Sequence, residues 1–282
     1  MVKTAWVTDS TVYLDDELKN HPDLYIIPLT ILLDGEEFAD GVDLSAAQLY
    51  ARLKELKSPP KTSQPAVGVF QELYEKLSKD YDQVVAVLIS GKLSGTVSSS
   101  EQAAKLVDIP VTTFDSNILT APMSALLKKG MELVEEGQSV ESVIDQLETL
   151  KSTNETYVLI GSLEQLHRSG RMSGLQFFLG SMLNVKPIIS IEEGALNTKE
   201  KVRSDKKAKE KILDYLRSSY EKNKFKEVYI LYGLHRENAN EWKEEIEKIY
   251  PELNVICCPL GAVIGVHAGE NTLGISWHNG LK

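Results

Sequence analysis

Cysteine is almost absent from this 282-residue chain: only Cys257 and Cys258 occur, side by side. Neighbouring cysteines rarely bridge, because the peptide joining them would be strained, so the pair reads as two thiols at a buried strand end. Metal-binding spacing is missing too. The five histidines, at positions 21, 167, 235, 267 and 278, are scattered without zinc-ligand spacing, so no metal is expected. No apolar run approaches the roughly 20 residues of a membrane helix. The opening MVKTAWVTDS lacks the apolar stretch of a signal peptide. Stable membrane insertion is therefore not expected, and a cytoplasmic location is. Positive charge is in deficit: 31 Lys and Arg face 41 Asp and Glu, a formal net charge of −10. A nucleic-acid partner needs a basic footprint to displace counterions from phosphates, and an acidic chain gains nothing from an anionic membrane surface. Neither partner is expected.

What the chain does have is ordinary globular material. It is 42% hydrophobic and 26% charged, and its length is comfortable for two domains. In the first half, short apolar runs alternate with amphipathic ones. Residues 5–7 and 24–33 read as strands. Ser45 with Gln48 forms a capping-box pattern, opening a helix that places Leu49, Leu53 and Leu56 on one stripe before the breaker Ser58-Pro59-Pro60. Pro65 marks a further helix start, followed by Val67, Phe70, Tyr74 and Leu77 at helical spacing. Residues 84–89 are continuously apolar, as in a strand buried on both faces. A polar glycine loop at 90–96 leads into a helix, residues 111–114 form another strand, and a long helix fills 119–136. This alternation predicts a mostly parallel sheet flanked by helices.

The second half reads as an α/β lobe with a mixed sheet. It has a strand at 157–160, two short helices around Gly170-Arg171-Met172-Ser173-Gly174, and a hairpin turning at Glu193-Gly194. Helices at 204–221 and 237–250 and strands at 228–232 and 255–258 follow, and 261–274 reads as a glycine-rich loop around His267. The polar patch after the helix at 139–150 sets the boundary, giving lobes at 1–152 and 153–282.

Ligands in open parallel sheets sit beyond the carboxyl ends of the strands. Three polar loops are expected there: Thr8-Asp9-Ser10, the loop at 90–96, and Asp115-Ser116. The 90–96 loop is neither a Walker motif nor a nucleophile elbow. It either caps its helix through Ser94 or offers hydroxyls and free backbone N–H groups to an anion. Thr62-Ser63 reads as a second helix start bearing hydroxyls, and two such starts converging would suit one carboxylate. Seven basic residues between positions 199 and 211 form either a solvated helix face or a docking patch for an acidic partner.

In order and spacing, these segments resemble the DegV family over essentially the whole chain. The matching fragments are Thr8-Asp9-Ser10, Thr62-Ser63-Gln64-Pro65, Ser94-Gly95-Thr96, Phe114-Asp115-Ser116, Gly170-Arg171-Met172-Ser173, Lys186-Pro187-Ile188 and the glycine loop with His267. The resemblance implies two α/β lobes with a fatty-acid tunnel between them. It also implies a long-chain fatty acid as ligand, no cofactor, and no chemistry by the chain alone. A separate ATP-dependent fatty acid kinase subunit would phosphorylate the bound carboxylate. By the same resemblance, Thr62, Ser63, Ser94 and His267, with Gly95 and Thr96, would cradle that carboxylate, and Arg203 would engage the kinase; Arg171, beside Gly170, reads from the sequence either as a further docking residue or as a partner of local acids. Two departures stand out: Ala66 where the family usually has serine, and Glu270-Asn271-Thr272 where it usually has Gly-Pro-Gly after the histidine loop begins.

The physical case for an acyl ligand stands beside the resemblance. About fifteen methylenes supply on the order of 12 kcal/mol on burial, so affinity comes from the tail. A buried carboxylate must still find donors, and a cradle of hydroxyls and one imidazole, without an arginine fork, would leave it reactive. Two competing readings are a stand-alone hydrolase using Ser94, His267 and Asp115, and a small-molecule sensor that binds no lipid.

Overall fold

The computed structural model describes residues 2–172 and 185–281. The first half runs β1 (Thr4–Asp9), α1 (Asp16–Lys19), β2 (Leu24–Ile27), β3 (Thr30–Leu33), β4 (Glu36–Ala39), α2 (Ala46–Leu53), β5 (Lys61–Ser63), α3 (Val67–Leu77), β6 (Gln83–Leu88), α4 (Thr96–Ala104), β7 (Val111–Asp115), α5 (Thr120–Glu135) and α6 (Val140–Lys151). Strands β2-β1-β6-β7 form an all-parallel sheet, as the alternation predicts. In β6, Val84, Ala86 and Leu88 pack with Phe70, Tyr74 and Ala103 of α3 and α4 on one face. Val85 and Val87 pack with Met123, Leu126 and Leu147 of α5 and α6 on the other. That double burial is why the run carries no polar alternation. The capping box at α2 forms as expected, with Ser45 and Gln48 bonded reciprocally.

A small antiparallel sheet, β4-β3-β5, stands apart from the parallel one. It corrects the reading of Thr62-Ser63 as a helix start. Those residues are β5, paired to Ile31 and Thr30 of β3. Helix α3 begins at Val67 after Ala66, with no side-chain cap. Pro65 had signalled the turn before the helix; pairing with β3 claimed the residues ahead of it.

The second half runs β8 (Asn154–Leu159), α7 (Leu163–Arg168), β9 (Lys186–Glu192), β10 (Ala195–Val202), α8 (Asp205–Asn223), β11 (Glu227–Tyr232), α9 (Arg236–Ile249), β12 (Asn254–Pro259), α10 (Ala262–Ala268) and β13 (Leu273–His278). The second short helix expected near Gly174 lies outside the described residues. The sheet order is β10-β9-β8-β13-β11-β12, and only β11 and β12 pair in parallel, so this sheet is mixed. Two elements were absent from the sequence reading. The glycine-rich segment forms α10, and Leu273–His278 forms β13, inserted between β8 and β11. Trp277 anchors β13 beneath α8: it stacks on Phe225 at 5.6 Å, and its indole N–H donates to Ser219 Oγ at 3.2 Å. The hairpin turn at Glu193-Gly194 has positive φ at both residues (48° and 83°), which suits glycine at the second. A Cβ on Gly194 would stand 2.5 Å from Ser90 Oγ, which donates to the Gly194 carbonyl at 2.8 Å. The turn is thereby pinned to the 90–96 loop of the first half.

Helix α5 lies between the two larger sheets, meeting β6 of the first and β11 and β13 of the second. His278 closes this contact: it is 1% exposed and its Nε2 lies 3.0 Å from the Pro122 carbonyl. Nδ1 has no partner. Burial lowers its pKa from the usual 6.5 to about 4. In the unfolded chain the imidazole takes its proton near 6.5, so between pH 6.5 and 4 the unfolded state binds more protons and stability falls as pH falls. His278→Gln is expected to flatten this acid limb by about 2–3 kcal/mol between pH 7 and 4. Urea unfolding across that range checks it; an unchanged slope would mean that His278 is not held neutral.

Candidate functional site

A cavity lies between the two sheets, with about 920 Å³ of space unfilled by protein atoms, its mouth included. Its wall is apolar over most of its length. Ile89, Ile118 and Leu119 come from the first half; Val158, Ile191 and Leu231 are among those from the second. Strand alternation explains the division of β8. Tyr157 and Leu159 pack into the core beneath α8, while Thr156 and Val158, with Ile160 just past the strand, face the cavity.

The polar groups gather where four segments meet: β5, the 90–96 loop, the residues after α7, and the last turn of α10. Thr62 Oγ1 and His267 Nε2 stand 2.8 Å apart, although 205 positions separate them in sequence. Ser94 Oγ and Thr96 Oγ1 are also 2.8 Å apart. Thr62, Ser94, His267, Gln64 and Arg171 all line the cavity. Arg171 is the one charged side chain on that wall, among the described residues, and no carboxylate lies there.

The supporting geometry is built from two acids, Asp9, which is buried, and Asp115, which is partly buried. Asp9 takes Ile89 N–H at 2.7 Å and both the N–H and the hydroxyl of Thr11. Thr8 donates its hydroxyl to the Val87 carbonyl. Thr8-Asp9-Ser10 is therefore not an open binding loop: β1 runs through Asp9, and both Thr8 and Asp9 are buried. Asp115 takes the N–H groups of Gly91 and Asn117, which holds the start of the 90–96 loop. Ser94 does not cap α4; its hydroxyl pairs with that of Thr96, and the α4 N-cap Gly95 makes no side-chain bond.

Several expected site residues therefore take other places. Ser63 is exposed and its hydroxyl turns to the Gln64 carbonyl at 3.2 Å, because alternation along β5 points Thr62 in and Ser63 out. Gly95 packs against Gln64, where a Cβ would stand 3.0 Å from the amide. Thr96 is buried behind Ser94. Arg203 is exposed in the turn after β10 and is not part of the cavity wall. Arg171, expected as a docking residue, stands on the wall itself, its Nη1 donating to the Ser169 carbonyl at 2.5 Å and its Nε to Leu93 at 3.4 Å. The cradle thus contains an arginine that the sequence reading left out, and Gln64, which was quoted within a motif but given no role.

His267 is held neutral. Burial, with the Arg171 charge adding to it, lowers its pKa to about 4. Its Nδ1 is buried without a partner, so no acid orients the ring. The described residues do not assemble the triad that the hydrolase reading needs. A triad needs serine, base and orienting acid bonded in sequence. Here Ser94 bonds Thr96, His267 bonds Thr62, and Asp115 bonds backbone.

An open, more basic groove adjoins the cavity's polar end. It shares Thr62, Arg171 and His267 with the cavity and adds Lys57, Lys61 and Arg168.

The chain matches the family model described as uncharacterised protein, DegV family, over residues 3–279. It is 36% identical over 275 residues to Protein DegV of Bacillus subtilis (strain 168), covering 97% of this chain and 98% of that one. Among solved structures it is similar to one described as fatty acid binding of a DegV family protein from Thermus thermophilus. The TM-score is 0.91 at 33% identity, over 97% of this chain and 98% of the other. It shares a fold with the fatty acid kinase (Fak) B3 protein of Streptococcus pneumoniae loaded with linoleic acid, at TM-score 0.83 and 19% identity, over 98% and 99% of the two chains.

Proposed function

This chain belongs to the DegV family, and on that premise we propose that it binds a long-chain fatty acid in the cavity and presents the carboxylate to a separate ATP-dependent kinase subunit. The observation that carries the reading is the division of the wall: a largely apolar surface ending in the Thr62 and Ser94 hydroxyls, the Gln64 amide, a neutral imidazole and one guanidinium, with no acid among the described lining residues. Such a wall repels no carboxylate and gathers its amide, imidazole and guanidinium at one end; the Thr156 and Thr272 hydroxyls elsewhere on it are bonded within the protein.

The head-group chemistry follows from the paired hydroxyls. With its proton on Nε2, His267 donates to Thr62, which leaves the Thr62 O–H free to point at a ligand oxygen. Thr96 does the same behind Ser94. Each ligand-facing hydroxyl is thus oriented from behind, and Thr96 acts through Ser94 and not on the ligand. Arg171 adds a charge to match the anion; two backbone carbonyls hold its fork to one side. The carboxylate stays neutralised without being sealed in, because the same residues border the open groove. The lysines there suit approach of a nucleotide phosphate from the partner subunit.

The test is native mass spectrometry of the chain purified from a bacterial host. The expected result is a bound mass equal to a fatty acid of about sixteen to eighteen carbons, consistent with a tail whose burial dominates affinity. Protein that stays empty after incubation with palmitate would overturn the reading.

A further inference from the structure

His267 reaches Thr62 only if α10 is set at the right height and rotation, and α10 is short. It has seven residues, starts after the N-cap Gly261 and has no side-chain cap of its own. The missing cap comes from the other half of the chain. Asp40, in the turn after β4, takes Val263 N–H on Oδ1 at 3.2 Å and the Ser10 hydroxyl on Oδ2 at 2.8 Å. Ser10 Oγ in turn accepts Leu29 N–H at 3.0 Å, and Asp40 N–H goes to the Leu29 carbonyl at 2.9 Å. The end of β1, the approach to β3 and the start of α10 are thus tied to one carboxylate that is 3% exposed. Burial, with the Asp9 carboxylate adding to it, raises Asp40 to about 6, so an ionised Asp40 is expensive to keep there. The cost goes to placement: α10 packs Val263 and Val266 against Leu49 of α2 and Ile31 of β3, and carries His267 in its last turn.

We propose that Asp40 is a positioning residue for the head-group cradle: through Ser10 and the first N–H groups of α10 it sets His267 against Thr62. This rests on the fatty-acid reading of the cavity and assigns a purpose to Ser10, the last residue of the Thr8-Asp9-Ser10 motif.

The experiment compares palmitate with hexadecan-1-ol, which shares the tail and lacks the carboxylate, on the delipidated full chain. The ratio of the two affinities reports the cradle alone. Asp40→Ala is expected to lower that ratio by about three- to thirtyfold, with binding of the alcohol unchanged. Asp40→Asn keeps an oxygen that accepts from Val263, and is expected to stay within about threefold of the original ratio. Equal weakening of acid and alcohol, or an unchanged ratio in Asp40→Ala, would overturn the proposal. Imidazole ¹⁵N resonances of the ligand-free protein give a second readout. The His267 Nε2 shift is expected to move in Asp40→Ala and to hold in Asp40→Asn. If the original chain bound neither lipid, the fatty-acid reading would fall while these shifts still decided the role of Asp40: no movement would reject it.

Discussion

Replacing Val158 by tryptophan is expected to weaken palmitate binding by at least about a hundredfold, since excluding about four methylenes from the cavity forfeits about 3 kcal/mol. Val158 sits on the face of β8 that looks into the empty space, between Thr156 and Ile160. The indole therefore grows into the bore and not into the packed core beneath α8, where Tyr157 points. Thermal unfolding of the variant should stay close to that of the original chain. Val158→Ala widens the bore and removes two methyl groups of wall contact, and should cost less than about tenfold. Titration calorimetry on delipidated protein measures all three. Unchanged affinity in Val158→Trp would mean that the tail does not run along β8.

The second large effect falls on chemistry and not on binding. Thr62→Ala combined with Ser94→Ala is expected to lower phosphoryl transfer from ATP, in the presence of the kinase partner, by about a thousandfold. Palmitate affinity should fall by only about tenfold. The hydroxyls exchange bonds to water for bonds to the ligand, so their net worth in binding is small, and Arg171 still meets the anion. In transfer, the same hydroxyls hold one carboxylate oxygen in line with the incoming phosphate, and their loss is felt in full. Stopped-flow release of a fluorescent fatty acid and an acyl phosphate assay separate the two quantities. Release that rose a thousandfold would show that the head group, and not the tail, dominates affinity.

The parts legible in the sequence are those decided locally or by uniform burial. β6 is apolar throughout because helices cover both its faces, and the α2 capping box closes within four residues. The hairpin at Glu193-Gly194 needs only its own backbone geometry. What escaped was decided by distant partners. The segment from Gly261 to Gly269 looks like a loop because glycine disfavours helix. It is helical because Gly265 lets Tyr50 approach closely: a Cβ there would lie 2.6 Å from the Tyr50 hydroxyl. Gly269, at φ 84°, then ends the helix where a Cβ would crowd Ser162 and Gln165. β5 has three residues and no pattern of its own. Arg171 reads as a surface cation until the 90–96 loop is folded beneath it. Thr62, Ser94 and His267, singled out by their motifs, all line the cavity. That Thr62 reaches His267 while Ser63 turns away is a matter of strand alternation, invisible while the segment was read as a helix start.

The place of β13 bears on how the polypeptide is made. Ribosomes deliver β8 through β12 first, yet β8 and β11 touch only through β13, which emerges after both. Until Leu273–His278 appears, two neighbouring edges stand open, each a template for mispairing with another nascent chain. β13 is therefore the keystone of its sheet, and vectorial folding of this half must wait for it.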